Sequence, residues 1–423
     1  MNQIIDIVFQ SNDIEAVEQF MRRGILQIGN KALSMTLQVQ ASETDYHEQL
    51  NNELRLCGQR EKQIHTLLGT VRIKRGYYQH RQTREYSFPF DRQFGLGTSS
   101  YSPGAQRAVS KLGAYLPFGF SDAELLELTG IDFGAKAVER VTKEVGQQVM
   151  EYNASSNKRM PKVNQAATPT TYLCMDGTGI PMVASALAGR KGKQTVQAKT
   201  REVKLGCVFT QTKTGEDNYP VRDEFSTTYV GGIITAKELG ERVVGEMRQR
   251  ETLSGKKCII GDGAAWIWNI ADELFPGAIQ IVDLYHAREH YWNVARLFFG
   301  DGSSKAHAWS KRRKEELDKG KVRIVIAAIR RLTAKSEEQK NLQKTEIGYF
   351  TKHEKRMRYD LFRKRGLFVG SGVLEAGCKT LIGQRLKQSG MHWSVKGSDA
   401  VIALRCCIFS NQWEDFWEKR AAA

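Results

Sequence analysis

Three acidic residues in this sequence have the type and the spacing of ligands to divalent metal ions. Asp176 and Asp262 each follow a short apolar run, and Glu375 lies in the first turn of a late helix predicted to begin near Gly372. A single Asp-Gly pair after a strand is more often part of a turn than of a site. Two such aspartates at the ends of neighbouring strands, together with an acid on a nearby helix, would supply the hard oxygen ligands that Mg²⁺ prefers.

Carboxylates in this arrangement suit phosphoryl transfer on a nucleic acid. One metal ion activates a water or a 3′-hydroxyl and a second neutralises the leaving oxygen, with the two ions about 3.5–4 Å apart. One aspartate can bridge both ions while the other acids each hold one. We therefore predict Asp176, Asp262 and Glu375 as metal ligands and catalytic residues, with Mg²⁺ as the cofactor and Mn²⁺ as its substitute.

A further pair, Asp283 and His286, follows the next predicted strand and allows two interpretations. In the first, the pair lies beside the active site, where His286 touches the scissile phosphate or helps to flip a DNA end. In the second, Asp283 caps a helix and His286 lies in its first turn. We treat the pair as accessory and leave it outside the metal triad, because Asp262 is better placed beside Asp176.

The elements predicted between residues 168 and 300 would position these acids. Apolar alternation predicts three strands in "TYLCMDGTGIPMV", "REVKLGCVFTQT" and "TTYVGGIIT", and two more in "KKCIIGD" and "AIQIVDLYH", each of these two preceded and followed by a helix. Three adjacent strands followed by helix–strand alternation predict an α/β fold of the ribonuclease H-like type, with a mixed sheet in which the first and fourth strands are neighbours.

The remaining segments complete a five-part organisation. Residues 301–366 are rich in Lys and Arg and predict an all-helical insertion, and residues 367–423 predict the last part of the core, with the Glu375 helix and one final amphipathic helix. Residues 1–100 predict a helical stretch to about residue 55, followed by a hairpin or small sheet. The polar stretch 153–171 predicts a domain boundary.

Residues 101–152 predict three helices that resemble a helix-turn-helix. The second would be capped by Ser121 and closed by Gly130, and the third, longer helix would begin near Gly134. A plain helical connector is the alternative.

The charge balance favours a polyanionic partner. The 423 residues include 63 Lys+Arg against 47 Asp+Glu, a net charge of +16. An anionic membrane is the competing partner, but the sequence has no run of about 18 apolar residues and no lipidation signal, so we predict double-stranded DNA and no membrane. The seven cysteines include no CxxC pair, which predicts reduced thiols rather than a disulfide framework or a zinc ribbon.

Basic and aromatic side chains near the predicted elements are the candidates for DNA contact. Lys and Arg bind phosphates, and Tyr or Trp can stack on bases. A solvated basic face is the alternative for the charged residues, and simple packing is the alternative for the tryptophan. The predicted DNA-contact residues are Arg72, Lys74, Arg75, Tyr77, Tyr78, Lys136, Arg140, Lys379, Arg385, Lys387 and Trp393.

Four segments, "MDGTGIPMV", "REVKLGCVF", "GDGAAWIWNIADELFPGAIQIVDLYHAREHYW" and "GSGVLEAGCKTLIGQRLKQSGMHWS", resemble the Mutator-like DDE transposases, and among them the bacterial Kra-type insertion-sequence group. The resemblance covers roughly residues 100–410. It implies a DDE triad at Asp176, Asp262 and Glu375, a helical insertion before the glutamate, and a C/D-x-x-H motif that here is Asp283-Leu-Tyr-His286. Such relatives often carry paired cysteines after a Tyr-Tyr pair; "YYQHRQTREYSF" has none, so we predict no zinc.

The resemblance implies a DNA transposase that binds terminal inverted repeats and then cleaves and joins DNA strands. Such an enzyme must hold two transposon ends, so we expect a homodimer or larger assembly on transposon and target DNA, in the bacterial cytoplasm at the nucleoid. Two alternatives remain open. One is a DNA-binding regulator that has lost the chemistry, and the other is a ribonuclease H-like nuclease that cleaves without joining.

Overall fold

The computed structural model of the chain describes residues 13–50, 53–129, 133–154, 169–192, 198–248, 250 and 255–422. The chain forms two compact units, Met1–Gln148 with Phe416–Ala423, and Val149–Asp415. Among the described residues, no helix combines the length and the apolar composition needed to cross a membrane.

The first unit consists of a long helix, a three-stranded antiparallel sheet and a group of shorter helices. Its elements are α1 (Ile14–Gln49), β1 (Leu54–Thr66), β2 (Gly69–His80), β3 (Tyr86–Ser87), α2 (Pro89–Gln93), α3 (Pro103–Tyr115), α4 (Phe118–Thr129) and most of α5 (Ala135–Ala154).

A hairpin is present, but its first strand, β1, begins at Leu54, before the stretch in which the sequence predicts it. The alternating side chains of β2, which the sequence does predict, explain the core of this unit. Strands β1 and β2 pair antiparallel along their whole length. Val71 and Ile73 point inward and are buried with Ala41 of α1, whereas Arg72 and Lys74 alternate with them and are exposed. This period-two pattern buries one face of the sheet and leaves the other basic.

One detail of the helix-turn-helix prediction, the Ser121 cap, is wrong. Helix α4 begins at Phe118, so Ser121 is not its cap; the Ser121 hydroxyl instead donates to the carbonyls of Leu116 and Pro117 in the first turn. A serine in that position bonds back to the preceding turn, which a sequence pattern does not distinguish from a cap. Gly130 lies outside the described residues, and with it the predicted turn before α5, so the helix-turn-helix stays a prediction.

The second unit is a mixed α/β structure. Its elements are β4 (Thr170–Pro181), β5 (Thr200–Gln211), β6 (Lys213–Thr214), β7 (Pro220–Val221), β8 (Thr228–Gly232), α6 (Ala236–Arg248), β9 (Lys257–Gly261), α7 (Ala265–Leu274), β10 (Ile279–Val282), α8 (Leu284–Phe299), α9 (Ser304–Asp318), α10 (Val322–Arg330), α11 (Glu337–His353), α12 (Tyr359–Lys364), α13 (Gly372–Gly377), α14 (Gln384–Leu386), α15 (Val395–Phe409) and α16 (Trp413–Ala422), which ends in the first unit.

The central sheet of this unit has five strands in the order β10-β9-β4-β5-β8. Strands β10, β9 and β4 run parallel, and β5 pairs antiparallel with both β4 and β8. The predicted neighbours, the first and fourth strands of the core, therefore do lie side by side as β4 and β9. This five-stranded mixed sheet with flanking helices is compatible with a ribonuclease H-like fold.

Three boundaries differ from the sequence prediction. Strand β4 continues to Pro181, so Asp176 lies inside the strand, where its pairing with β5 is continuous, and not at its end. Strand β10 ends at Val282, and the next helix already begins at Leu284. The single final helix is broken into α15 and α16 because Asn411 takes a left-handed conformation, with φ of 56°, that no helix accommodates.

Candidate active site

The two aspartates of the predicted triad are neighbours at adjacent parallel strands. Met175 of β4 is paired with Gly261, the last residue of β9. Asp176 is the next residue within β4, and Asp262 is the first residue after β9. Hydrogen-bonded strands lie about 4.8 Å apart, so the two carboxylates share one small region of the sheet. Both side chains are half-buried. The structure therefore brings together the two acids that the strand order predicted to meet.

The Asp176 carboxylate is partly buried and lies close to a second carboxylate. Burial raises the pKa of Asp176, and repulsion from Asp262 raises it further. Hydrogen bonds from the Cys378 thiol and from the Gly177 N–H, which is 2.6 Å from Oδ1, act in the opposite direction but do not cancel the rise. A cation bound between the two carboxylates would relieve this repulsion.

Glu375 lies in the first turn of α13, and its side chain is exposed. The helix continues without a break into a π-helical segment, Cys378–Gly383. Glu375 and Cys378 are three residues apart and so lie on one face of the helical segment. Because the Cys378 thiol hydrogen-bonds Asp176, this face is directed to the β4 carboxylate.

Buried charges hold the helical segment that carries Glu375 at two places. At its start, the Asp283 carboxylate accepts a hydrogen bond from the N–H of Ser371, the residue before α13. Charged groups satisfy the unpaired backbone groups at a helix start especially well. Within its π-helical part, the Arg405 guanidinium of α15 donates to the carbonyls of Thr380 and Leu381, each at 2.7 Å. The position of Glu375 is therefore determined by residues far from it in sequence.

Asp283 and His286 combine the two interpretations of their sequence pattern. Asp283 is the N-cap of α8 and accepts the N–H of His286 at 2.9 Å, as in the structural interpretation. Burial lowers the pKa of His286, but the carboxylates of Asp283, Glu289 and Asp262 outweigh it, so the pKa is raised overall. The influence of Asp262 indicates that His286 also lies near the paired aspartates. The sequence prediction of an accessory role stays a prediction.

Asp283 provides a test of how the Glu375 helix is positioned. We expect Asp283→Ala to lower the free energy of unfolding by about 2 kcal/mol, because it removes a helix cap and leaves the N–H groups of His286 and Ser371 without their acceptor. The measurement is urea unfolding. Glu289→Gln is the matched control, since its carboxylate is exposed and hydrogen-bonds the His286 ring. Equal stability of the two variants would contradict the proposed anchoring.

The helical insertion contributes residues that the sequence analysis did not identify. Tyr349 of α11 donates from its hydroxyl to the Asp262 carbonyl at 3.0 Å. Gly263 has φ of 109°, and a Cβ on it would lie 2.6 Å from the Tyr349 ring, so this turn requires glycine for both its conformation and its close approach. No sequence pattern links Tyr349 to the loop after β9, because the two are far apart in the chain.

His353, at the end of α11, predicts a pH dependence of stability. It is 1% exposed, and burial, with smaller effects of Arg356 and Lys352, lowers its pKa to about 4. An unfolded histidine has a pKa near 6.5, so the unfolded chain binds more protons below that pH. The stabilisation is complete above pH 6.5 and is lost as the pH falls toward 4; between pH 7 and 5 we expect a loss of about 2 kcal/mol.

The measurement is urea unfolding of the wild type and His353→Gln at pH 7 and pH 5. The wild type should lose about 2 kcal/mol more than the variant, which has no titrating group at this position. Identical pH dependence of the two proteins would show that His353 does not carry the effect.

The carboxylates at this site are chemically suitable ligands for a metal ion, but they do not form a closed cluster. Carboxylates are suitable ligands for Mg²⁺, and the repulsion between Asp176 and Asp262 is what a cation would remove. Within the described residues, however, no group of three His, Cys, Asp or Glu side chains is close enough together to hold a metal ion. The structure thus assembles a pair of aspartates, with Glu375 on the adjacent helical segment.

Four of the predicted DNA-contact residues lie in the interior and are withdrawn as candidates. Arg75 is 6% exposed and pairs with Asp91, and Tyr78 is fully buried and donates to the Asp45 carbonyl. Arg385 is 1% exposed, and its guanidinium lies 5.1 Å from the centre of the buried Trp393 ring. Their residue types suited DNA, but sequence does not reveal the partners that draw such side chains into a core.

The other predicted contacts remain at or near the surface. Arg72, Lys74, Lys136, Arg140 and Lys379 are exposed. The Tyr77 ring is half-buried and stacks on Tyr86 at 5.0 Å between ring centres. Lys387 is exposed, and its ammonium group hydrogen-bonds the hydroxyl of Thr178.

Thr178 places Lys387 close to the paired aspartates. Thr178 and Asp176 are two residues apart on β4 and therefore lie on the same face of the sheet. Lys387 follows the helical segment that carries Glu375, so this face receives acidic groups and a cation from the same part of the chain.

No protein-family model and no curated protein matches this chain. One solved structure that it resembles is the "Drosophila P element transposase strand transfer complex", with 11% identity, 74% of this chain and 80% of that chain covered, and a TM-score of 0.26.

Proposed function

We propose that this chain is a DDE-type DNA transposase of a bacterial insertion sequence, with Asp176, Asp262 and Glu375 as its catalytic residues. The observation that carries the proposal is the pair of half-buried aspartates, one within β4 and one directly after the adjacent parallel strand β9, next to the helical segment of Glu375. The resemblance of four sequence segments to Mutator-like transposases supports the same assignment. Mg²⁺, held by the three carboxylates, would neutralise the phosphate and activate the attacking oxygen.

The cationic groups around the aspartates support DNA as the substrate. His286 has a raised pKa, so a larger fraction of it is positively charged near neutral pH than for an ordinary histidine. Lys387 brings an ammonium group to the face of β4 that carries Asp176. A phosphate of the DNA backbone would be attracted to these two cations and held beside the carboxylates, while Arg72, Lys74, Lys136 and Arg140 supply basic surface in the first unit.

Product analysis tests the proposal against its two alternatives. The full-length protein is incubated with end-labelled DNA that carries the ends of its own element, with a target plasmid, and with Mg²⁺, Mn²⁺ or a chelator. Control DNA lacks the ends. A transposase gives metal-dependent cuts at the ends and a labelled strand covalently joined to the plasmid. Cuts without joining would identify a nuclease, and binding of the ends without cuts would identify a silent regulator.

A further inference from the structure

Helix α1 presents a long apolar face that nothing in the described first unit covers. One face of the helix packs on the hairpin, through Leu33, Leu37 and Ala41 against Val71 and Ile73. On the other face, large apolar side chains are between 47% and 76% exposed. They are Ile14, Met21, Ile25, Ile28, Met35, Val39 and Tyr46. Single exposed apolar residues are normal, but a continuous row of this length on one helix indicates a surface that is buried in an assembly.

The spacing of this row is that of a coiled-coil seam. Two sets of positions, each with a period of seven, alternate at intervals of three and four residues, which is the pattern of a and d positions in a heptad repeat. The d positions are Ile14, Met21, Ile28, Met35 and Ser42, and the a positions are Glu18, Ile25, Ala32, Val39 and Tyr46. A helix of 36 residues carries five such heptads and extends about 54 Å.

We propose that this α1 seam, defined by the a and d positions above, binds the α1 seam of a second copy of the chain in a two-stranded antiparallel coiled coil. The exposed surface of its six large apolar side chains from Met21 to Tyr46 sums to roughly 700 Å² per chain, close to the area that each partner of a standard protein–protein interface buries. A partner identical to the first provides a seam of the same length and period, and pairing about a twofold axis is the commonest symmetry of protein dimers.

Charge and side-chain volume select the antiparallel orientation. In a parallel pair each position faces itself, so two Glu18 carboxylates would meet in the seam, and Ala32 and Ser42 would leave gaps opposite their own copies. In the antiparallel pair with Ala32 opposite Met35, small residues face large ones. Glu18 then faces the Gln49 amide and not a second carboxylate. Uniform filling and the absence of facing like charges both stabilise a seam.

The first test measures the oligomeric state of the full-length protein without DNA or metal, by analytical ultracentrifugation. The wild type is expected to dimerise, and Ile28→Glu with Val39→Glu to raise the dimer dissociation constant at least about a hundredfold, as each buried charge costs at least a factor of ten. Phe225→Glu is the matched control, because Phe225 is equally exposed, at 73%, but lies in the second unit. It should leave the dimer intact.

Far-ultraviolet circular dichroism and the melting curve verify that the double variant is folded, which is expected because both side chains point away from the hairpin. A wild type that is monomeric at micromolar concentration, or a folded double variant that dimerises like the wild type, would overturn the proposal. The inference does not rest on the proposed function, since the assay involves no DNA; loss of dimerisation and loss of cleavage are separate results.

Disulfide cross-linking tests the orientation, in a background where the exposed Cys57 is replaced by Ser. In the antiparallel pair, position 28 of one copy faces position 39 of the other, whereas two copies of position 28 lie about 16 Å apart along the helix, beyond the reach of a disulfide. A mixture of Ile28→Cys and Val39→Cys should therefore form heterodimeric cross-links, and Ile28→Cys alone should form none. Efficient cross-linking of Ile28→Cys with itself would overturn the antiparallel assignment.

Discussion

Asp176→Asn is expected to stabilise the metal-free protein while reducing Mg²⁺-dependent DNA cleavage by roughly a hundredfold to a thousandfold. The gain, roughly 0.5–2 kcal/mol, has the size of single substitutions that remove a functional conflict. Its cause is the burial of Asp176 beside Asp262, which raises the pKa of Asp176 and opposes its charged form. An asparagine keeps an oxygen to accept the Gly177 N–H but carries no charge.

The loss of activity follows from the same change. A metal site supplies several kcal/mol of transition-state stabilisation, and every 1.4 kcal/mol corresponds to a factor of ten in rate. Thermal melting without metal and single-turnover cleavage measure the two effects on one preparation. Glu273→Gln, an exposed carboxylate of α7, is the control and should change neither. A variant that is less stable than the wild type, or one that cleaves at the wild-type rate, would contradict the assignment of Asp176.

Asp91→Ala is expected to destabilise the first unit by about 3–5 kcal/mol, the cost of removing one partner of a buried ion pair. The Asp91 carboxylate accepts from Arg75 at 2.7 and 2.9 Å and from Lys62 at 2.9 Å. All three side chains are at most 10% exposed, so the substitution leaves two cations in the interior without their counter-ion.

Urea unfolding, followed by a signal from the first unit, measures this effect. The matched control is Glu61→Ala, which removes an exposed carboxylate from the same hairpin and should cost less than about 0.5 kcal/mol. If Asp91→Ala lowered the free energy of unfolding no more than the control does, the ion pair with Asp91 would not hold Arg75 in the interior. Arg75 would then again be a candidate for DNA contact.

The sheet of the second unit can be predicted from the sequence because its strands have short apolar runs that end at polar residues. Those runs predict all five strands, and the order of strands and helices, matched to a ribonuclease H-like layout, predicts the adjacency of β4 and β9 and hence the meeting of Asp176 with Asp262. Local signals of this kind depend on the side chains of one segment, which are visible in the sequence.

The contacts around the paired aspartates involve segments that are distant in the sequence, so they could not be predicted from local patterns. The sequence does not indicate that the Cys378 thiol bonds Asp176, that Tyr349 of the insertion reaches the loop after β9, or that Arg405 bonds the π-helical part of the Glu375 segment. The incorrect assignment of Arg75 has the same cause. Its residue type suggests DNA contact, and only the fold shows that Asp91 lies beside it.

The exposed face of α1 illustrates a third case. The sequence predicts a helical stretch here but not which of its apolar residues face a partner. Two apolar faces on one helix have overlapping periods in the sequence, so only the structure separates the face that packs on the hairpin from the face left for a partner.

If Asp262 holds a metal ion for DNA strand cleavage, replacing its carboxylate should change the metal specificity of the enzyme. In Asp262→Cys a soft sulfur replaces a hard oxygen, which Mg²⁺ tolerates poorly and Mn²⁺ tolerates better. We expect cleavage by this variant to be lost in Mg²⁺ and substantially restored in Mn²⁺, while the wild type cleaves in both. Equal loss in the two metals, or no loss in Mg²⁺, would contradict the claim that Asp262 is a metal ligand.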